Sequence, residues 1–119
     1  MISQKGELTT GTNKLLILGS GSRARKDLLD SVGLTPHKIE IPDVDESLKP
    51  NESPRHYVSR VARLKATAIS CGKKSYLITA DTTVSVGKRV LIKTSDEIKA
   101  KEYLRLLSGR RHNVFTAFC

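Results

Sequence analysis

A glycine- and serine-rich turn, Gly19-Ser20-Gly21-Ser22, separates a short apolar run from a helical pattern, with Arg23, Arg25 and Lys26 in or just after it. A turn of this kind leaves backbone N–H groups free at the positive end of a helix dipole, a ready site for an anion and most often for phosphate. The basic side chains add charged donors where an oxyanion would rest; otherwise they are a solvated surface turn. Lys65 falls on an apolar helical stripe, four residues after Val61. A lysine there either snorkels to the boundary or meets an anion. Asp81 directly follows the apolar run Tyr76–Ala80. It is either a turn residue or a carboxylate at a strand's C-terminal end, the edge where open α/β sheets bind ligands. Asp43, Asp45 and Glu46 either solubilise their loop or join Asp81 around Mg²⁺, a hard cation that takes oxygen ligands and bridges to phosphates. Lys93, and the run Gly109-Arg110-Arg111-His112, add positive charge near the same sheet edge.

The elements that position these residues are legible as patterns. Leu15–Leu18 is a short buried-strand signal ended by the glycine turn. Leu28, Leu29 and Val32 share one face of the following helix, and Gly33 stops it. His37–Ile41 alternates as a second strand closed by Pro42, and an acidic loop spans residues 43–52. Ser53 caps the next helix with Pro54 at its first position. That helix runs to about Ser70, with Val58, Val61, Ala62, Ala68 and Ile69 as its apolar stripe. Tyr76–Ala80 reads as a third strand that stops at Asp81-Thr82-Thr83. Val84–Val86 and Arg89–Ile92 flank Gly87-Lys88 as a hairpin. Ser95 caps a third helix, with Asp96 and Glu97 in its first turn and Ala100, Tyr103, Leu104 and Leu107 as its buried stripe. Gly109 ends it, and His112–Phe118 is a last strand. The order is that of an α/β domain, a mixed central sheet flanked by helices.

Composition narrows the function classes. The chain has 119 residues, enough for one domain, and no Trp, so Leu, Ile, Val and Ala must build the core. A net charge of +9 and a pI near 9.8 point to an anionic partner: nucleotide, nucleic acid or an acidic surface. Cys71 and Cys119 lie far apart without metal-ligand spacing, which sets a reducing, cytoplasmic compartment as the expectation. No stretch approaches the roughly 18 apolar residues of a membrane span. The first 13 residues lack an apolar signal segment and read as a polar, poorly ordered extension.

A rival pattern overlaps the turn. Gly19-Ser20-Gly21-Ser22-Arg23-Ala24 satisfies the G-x-G-x-x-A dinucleotide fingerprint, and Glu40 follows at the spacing of a ribose-binding acid. Against it stand the short crossover helix, the acidic loop after the second strand and the hairpin, which interrupts repeating βαβ units.

Taken in order, the motifs resemble the Maf family of nucleoside-triphosphate pyrophosphatases, historically called septum formation inhibitors. The family opening L-A-S-x-S-P-R-R-x-E-L-L corresponds to Leu18-Gly19-Ser20-Gly21-Ser22-Arg23-Ala24-Arg25-Lys26-Asp27-Leu28-Leu29. Asp43-Val44-Asp45-Glu46 matches the acidic loop, and Val61-Ala62-Arg63-Leu64-Lys65-Ala66 matches L-A-x-x-K-A. Ala80-Asp81-Thr82, Ile92-Lys93-Thr94 and Leu107-Ser108-Gly109-Arg110-Arg111-His112-Asn113-Val114-Phe115-Thr116 complete the set, over residues 14–119. The resemblance implies a Maf-like, inosine-triphosphatase-like fold and cleavage of a nucleoside triphosphate to monophosphate and pyrophosphate. It also implies a divalent cation, Mg²⁺ or Mn²⁺, a cytoplasmic homodimer, no membrane and no nucleic-acid partner. By the same carry-over, Asp81 is the catalytic carboxylate, and Glu46 is a second metal-holding or water-positioning acid. Ser20, Arg25, Lys65 and Lys93 hold the triphosphate, and Thr82 resembles the branch acting on dTTP, UTP and CTP. The sequence departs from the family at Arg23-Ala24, where the motif has Pro-Arg and where base selectivity is set, and in the residues flanking Lys93. Family members are longer, with a second half bearing a D-K-A-G motif, so the chain reads as truncated. The alternative function is a non-catalytic basic module that binds nucleotide or nucleic acid.

Overall fold

Leu16, Ile17 and Leu18 are buried in succession, the continuous apolar run that a parallel strand covered on both faces requires. They form β1 (Leu15–Gly19), the centre of one half of a five-stranded sheet. The computed structural model describes residues 14–119; the expected polar extension, residues 1–13, lies outside the described residues. After β1 come α1 (Arg23–Ser31), β2 (Lys38–Ile39), α2 (Pro54–Ala68), β3 (Ser75–Val86), β4 (Arg89–Leu91), α3 (Glu97–Leu107) and β5 (Asn113–Phe118). The result is the mixed α/β sheet that the element order implies.

β1 pairs parallel with β2 on one side and with β3 on the other. β3 then outruns β1. Its second half pairs antiparallel with β4 through Val84–Val86 and with β5 through Ala80–Ser85. Four sequence-based boundaries change here. The third strand does not stop at Asp81: Thr82, Thr83 and Val84 are β-branched, pair across β5 and carry the strand through to Val86. Asp81 is thus an interior strand residue opposite Ala117, just beyond the last β1 pair, Gly19 with Thr79. The second strand shrinks to Lys38–Ile39, because it lies at the sheet edge and Pro42 has no N–H to extend the ladder. β4 ends at Leu91 rather than Ile92, and β5 begins at Asn113 rather than His112.

α2 packs across β3 and β5. Ser53 accepts from the His56 N–H as its N-cap, and Pro54 supplies a φ already suited to a first turn. Tyr57, Val58, Val61 and Ala62 face the sheet and are buried, while Ala68 of the expected stripe is exposed. The Thr79 hydroxyl donates to the Ala62 carbonyl at 2.7 Å and locks helix to strand. The helix ends at Ala68, two residues before the expected Ser70.

α1 and α3 bury no residue. The α3 stripe is therefore a correction. Ala100, Tyr103, Leu104 and Leu107 do face β3 and β4, but across an open apolar groove of about 470 Å³, and Leu104 stays 67% exposed. The α3 cap is Asp96, which accepts from the Ile98 N–H, and not Ser95. Thr94 accepts from the Asp96 N–H and holds that residue in place.

At Gly19 a side chain would force its neighbours to shift. A Cβ there would sit 2.7 Å from Ile69 Cδ1 and 2.8 Å from Thr79 Cγ2, so β1 can approach its neighbours closely only as glycine. In the hairpin, Gly87 adopts a φ of 57°, which connects β3 to β4.

Candidate functional site

The end of β1, the start of α1, the acidic loop, α2 and the middle of β3 meet at one cleft. Its larger part, about 340 Å³, is lined by Gly19, Ser20, Arg25, Glu46, Lys65 and Lys93, among others. A contiguous part of about 170 Å³ shares Glu46 and Lys93 and adds Tyr57, Asp81 and Thr82. All seven residues singled out by sequence and resemblance therefore surround a single cavity system.

The turn after β1 is built by its own side chains. Ser20 Oγ accepts from the Ser22 N–H at 3.2 Å, and Ser22 Oγ accepts from the Arg25 N–H as the α1 N-cap. Arg25 reaches from this turn to β3. Its guanidinium donates to Ser20 Oγ at 3.0 Å, to the Ala80 carbonyl at 3.2 Å and to Thr82 Oγ1 at 3.1 Å. Thr82 in turn shares a 2.9 Å hydroxyl contact with Thr116 on β5. A planar fork that spans two elements in this way fixes the turn relative to the strand.

Arg23 and Lys26 do not join Arg25. They point away on the outer face of α1, paired with Asp27 at 3.7 Å and Asp30 at 2.6 Å in i,i+4 spacing. Arg25 lies about 100° round the helix from Lys26 and about 200° from Arg23, so among the three basic residues only Arg25 faces the cleft. Arg110, Arg111 and His112 are exposed and line neither part of it.

Lys65 is buried, at 7% exposure, and does not snorkel to solvent. Its ammonium donates to the Ala80 carbonyl at 3.1 Å and to Asp81 Oδ1 at 3.2 Å, and pairs with Glu46 Oε1 at 3.4 Å. Three acceptors match the three N–H bonds of an ammonium. Asp81 is 2% exposed, so its carboxylate enters the interior as half of an ion pair. Glu46 is half exposed and closes the same arrangement from the solvent side.

Asp43 and Asp45 do not gather with Glu46 and Asp81. Asp45 accepts from the Ser47 N–H and hydroxyl, which hold its carboxyl below the usual range and turn it back into the loop. Among the described residues, no three His, Cys, Asp or Glu side chains cluster as a metal site. The acids facing the cleft are Glu46 and Asp81.

Sequence reasoning missed the supports of the acidic loop. The Tyr57 hydroxyl donates to the Glu46 carbonyl at 2.6 Å. Arg60 grips Glu52 with two hydrogen bonds, 2.6 and 2.8 Å, and donates to the Ser47 carbonyl at 2.8 Å. Arg60 lowers the Glu52 carboxyl to about 2, against the burial that opposes it. The signal was present: Tyr57, Val61 and Lys65 recur at intervals of four, so one helical face carries both the tyrosine and the lysine. The dinucleotide rival loses its acid. Glu40 pairs with Lys38 at 3.5 Å and lines neither part of the cleft.

Comparison with known proteins adds an independent line. Residues 15–119 match the family described as Maf-like protein. The chain is 47% identical over 103 residues to a dTTP/UTP pyrophosphatase of Roseobacter denitrificans, covering 87% of this chain and 55% of that protein. It is 46% identical over 101 residues to a dTTP/UTP pyrophosphatase of a Ruegeria species, covering 85% of this chain and 52% of the relative. A nucleoside triphosphate pyrophosphatase of Anaplasma marginale is 45% identical over 105 residues, covering 87% and 54%. The chain thus spans about half the length of these curated relatives.

Proposed function

The chain belongs to the Maf-like protein family, and we propose that its cleft binds a pyrimidine nucleoside triphosphate and hydrolyses it to monophosphate and pyrophosphate. The observation that carries this reading is the convergence of Ser20, Arg25, Lys65, Lys93, Glu46 and Asp81 on one cavity system. The names of the relatives support the substrate class: dTTP and UTP in two, a nucleoside triphosphate in the third.

Chemistry at a phosphoanhydride is mostly positioning, charge neutralisation and orientation of a water. The Ser20 turn at the α1 N-terminus and the exposed Lys93 receive the triphosphate, with Arg25 bracing the turn behind it. Asp81 takes the proton of the attacking water. The water oxygen bonds to the α-phosphorus as the bond from that phosphorus to the α,β-bridging oxygen breaks, and pyrophosphate leaves with that oxygen. Glu46, at the mouth of the cleft, orients that water.

The donor set also suits Mg²⁺ or Mn²⁺. Glu46 and Asp81 already satisfy one compact cation, the Lys65 ammonium, and both offer hard oxygen donors. Two carboxylates suffice for a cation that completes its shell with phosphate and water. Bound there, it would neutralise charge on the phosphate oxygens.

This reading carries a homodimer, supported by exposed apolar side chains on β5 and α3: Val114, Phe118, Ile98 and Leu104. A reducing cytoplasmic setting fits the free thiols Cys71 and Cys119. Among the described residues, no helix is long and apolar enough to cross a membrane.

The test is pyrophosphate release from dTTP, UTP and CTP with Mg²⁺ or Mn²⁺. Asp81→Asn removes the proton acceptor without changing shape and should abolish turnover; an unchanged rate overturns the assignment. The net charge of +9 favours one second reading, a non-catalytic nucleotide- or nucleic-acid-binding module. Binding that falls steeply with salt and yields no product would select it.

A further inference from the structure

We infer that Tyr57 is a positioning residue that holds Glu46 in place for catalysis, through its hydroxyl contact with the Glu46 main chain. The inference rests on the reading above, in which Glu46 serves the reaction.

The acidic loop has little structure of its own. From Asp43 to Lys49 it contains neither helix nor strand, and residues 45–51 are exposed. A carboxylate on such a segment ordinarily samples many positions, and ordering it costs about 1–2 kcal/mol of backbone entropy per residue. What orders it is one face of α2. The Tyr57 ring is buried against Val61 and Val90, so its hydroxyl is delivered from a rigid base. It meets the Glu46 carbonyl at 2.6 Å, while Lys65, further along the same face, meets the Glu46 carboxylate at 3.4 Å. The helix therefore grips one residue at both its main chain and its side chain. Arg60 secures the adjoining stretch through Ser47 and Glu52.

The donor is also well suited to its surroundings. Burial first, then the charges of Asp81 and Glu46, push the Tyr57 phenol above its ordinary range.

Tyr57→Phe deletes one oxygen and keeps the buried ring. The decisive readout is the Mn²⁺ dissociation constant of the full chain saturated with α,β-methylene-dTTP, which needs no turnover. It is measured on wild type, Tyr57→Phe, Glu46→Gln and the double variant. Tyr57→Phe should weaken Mn²⁺ by about tenfold, the scale of one well-made hydrogen bond. The double variant should be no weaker than Glu46→Gln alone, because Tyr57 acts through Glu46. A tyrosine that served stability only would leave the constant unchanged or add its loss to that of Glu46→Gln, and either result overturns the inference. Wild-type affinity in Tyr57→Phe beside a weakened Glu46→Gln sinks the positioning role and leaves the proposed function standing. Wild-type affinity in Glu46→Gln removes the role of Glu46, and the inference falls with it. Should Tyr57→Phe fail to fold, Arg60→Gln loosens the same loop from the solvent side. It too should weaken Mn²⁺, and wild-type affinity there overturns the inference.

Discussion

Replacing Lys65 with Met keeps most of the length of the side chain and removes its charge, which strands Asp81. The Asp81 side chain is 3% exposed and its Oδ1 lies 3.2 Å from the Lys65 ammonium. At an effective dielectric near 20, that separation corresponds to about 5 kcal/mol of attraction, set against the cost of desolvating both groups. The pair as a whole contributes little. Its halves are another matter, because removing one partner leaves an uncompensated buried charge, a loss of about 3–5 kcal/mol. Glu46 changes this estimate little, since its side chain is 43% exposed and screened by water. A domain of this size has only about 5–15 kcal/mol in total, so Lys65→Met should lose a large part of it. Urea unfolding at pH 7, followed by far-ultraviolet circular dichroism, measures the change. Adding Asp81→Asn to Lys65→Met should recover most of the loss, because the stranded charge is gone. The reasoning is refuted if Lys65→Met unfolds within about 1 kcal/mol of wild type, or if the double variant is no more stable than the single one.

Two further outcomes follow from the frame around the cleft. Gly19→Ala should lower stability by about 1–3 kcal/mol in the same urea assay, since its Cβ would press on Ile69 and Thr79 within 2.8 Å; a neutral result would mean that β1 shifts freely against β3. The Glu52 carboxyl, lowered from 4.5 to about 2 chiefly by Arg60, binds protons more readily when unfolded. Its contribution to stability is therefore complete above pH 4.5 and is lost as pH falls toward 2. In Arg60→Met the dependence of the urea midpoint on pH across that window should flatten relative to wild type, and an unchanged slope would refute the assignment.

The elements fixed by local chemistry were readable from the sequence. β1 announces itself by its apolar run, α2 by Ser53 and Pro54, and the β3–β4 turn by Gly87-Lys88, because each signal lies within its own segment. The continuation of β3 was not readable, since an aspartate after an apolar run looks like a turn until β5 and β4 arrive to pair with it. The α3 stripe has the right period, yet periodicity states which face is apolar and not what covers it. The same division holds for the site. Lys65 and Asp81 stood out because their types were unusual for their settings, whereas the roles given to Ser20 and Arg25 came with the family resemblance. The inward turn of Arg25, against the outward pairing of Arg23 and Lys26, depends on Ser20, Ala80 and Thr82, two of them more than fifty positions away. Tyr57 was missed because the partner of its hydroxyl, the Glu46 carbonyl, sits on a loop whose course no local pattern states.

The passage of β3 from one kind of pairing to the other leaves Asp81 on an unbroken girder. Flanked by Thr79 and Thr83, both buried, it has no joint on either side about which to swing. Any adjustment that accompanies ligand capture therefore falls to the exposed stretch bearing Lys93, since Glu46 is tied to α2 at both its main chain and its side chain. The anvil itself stays put.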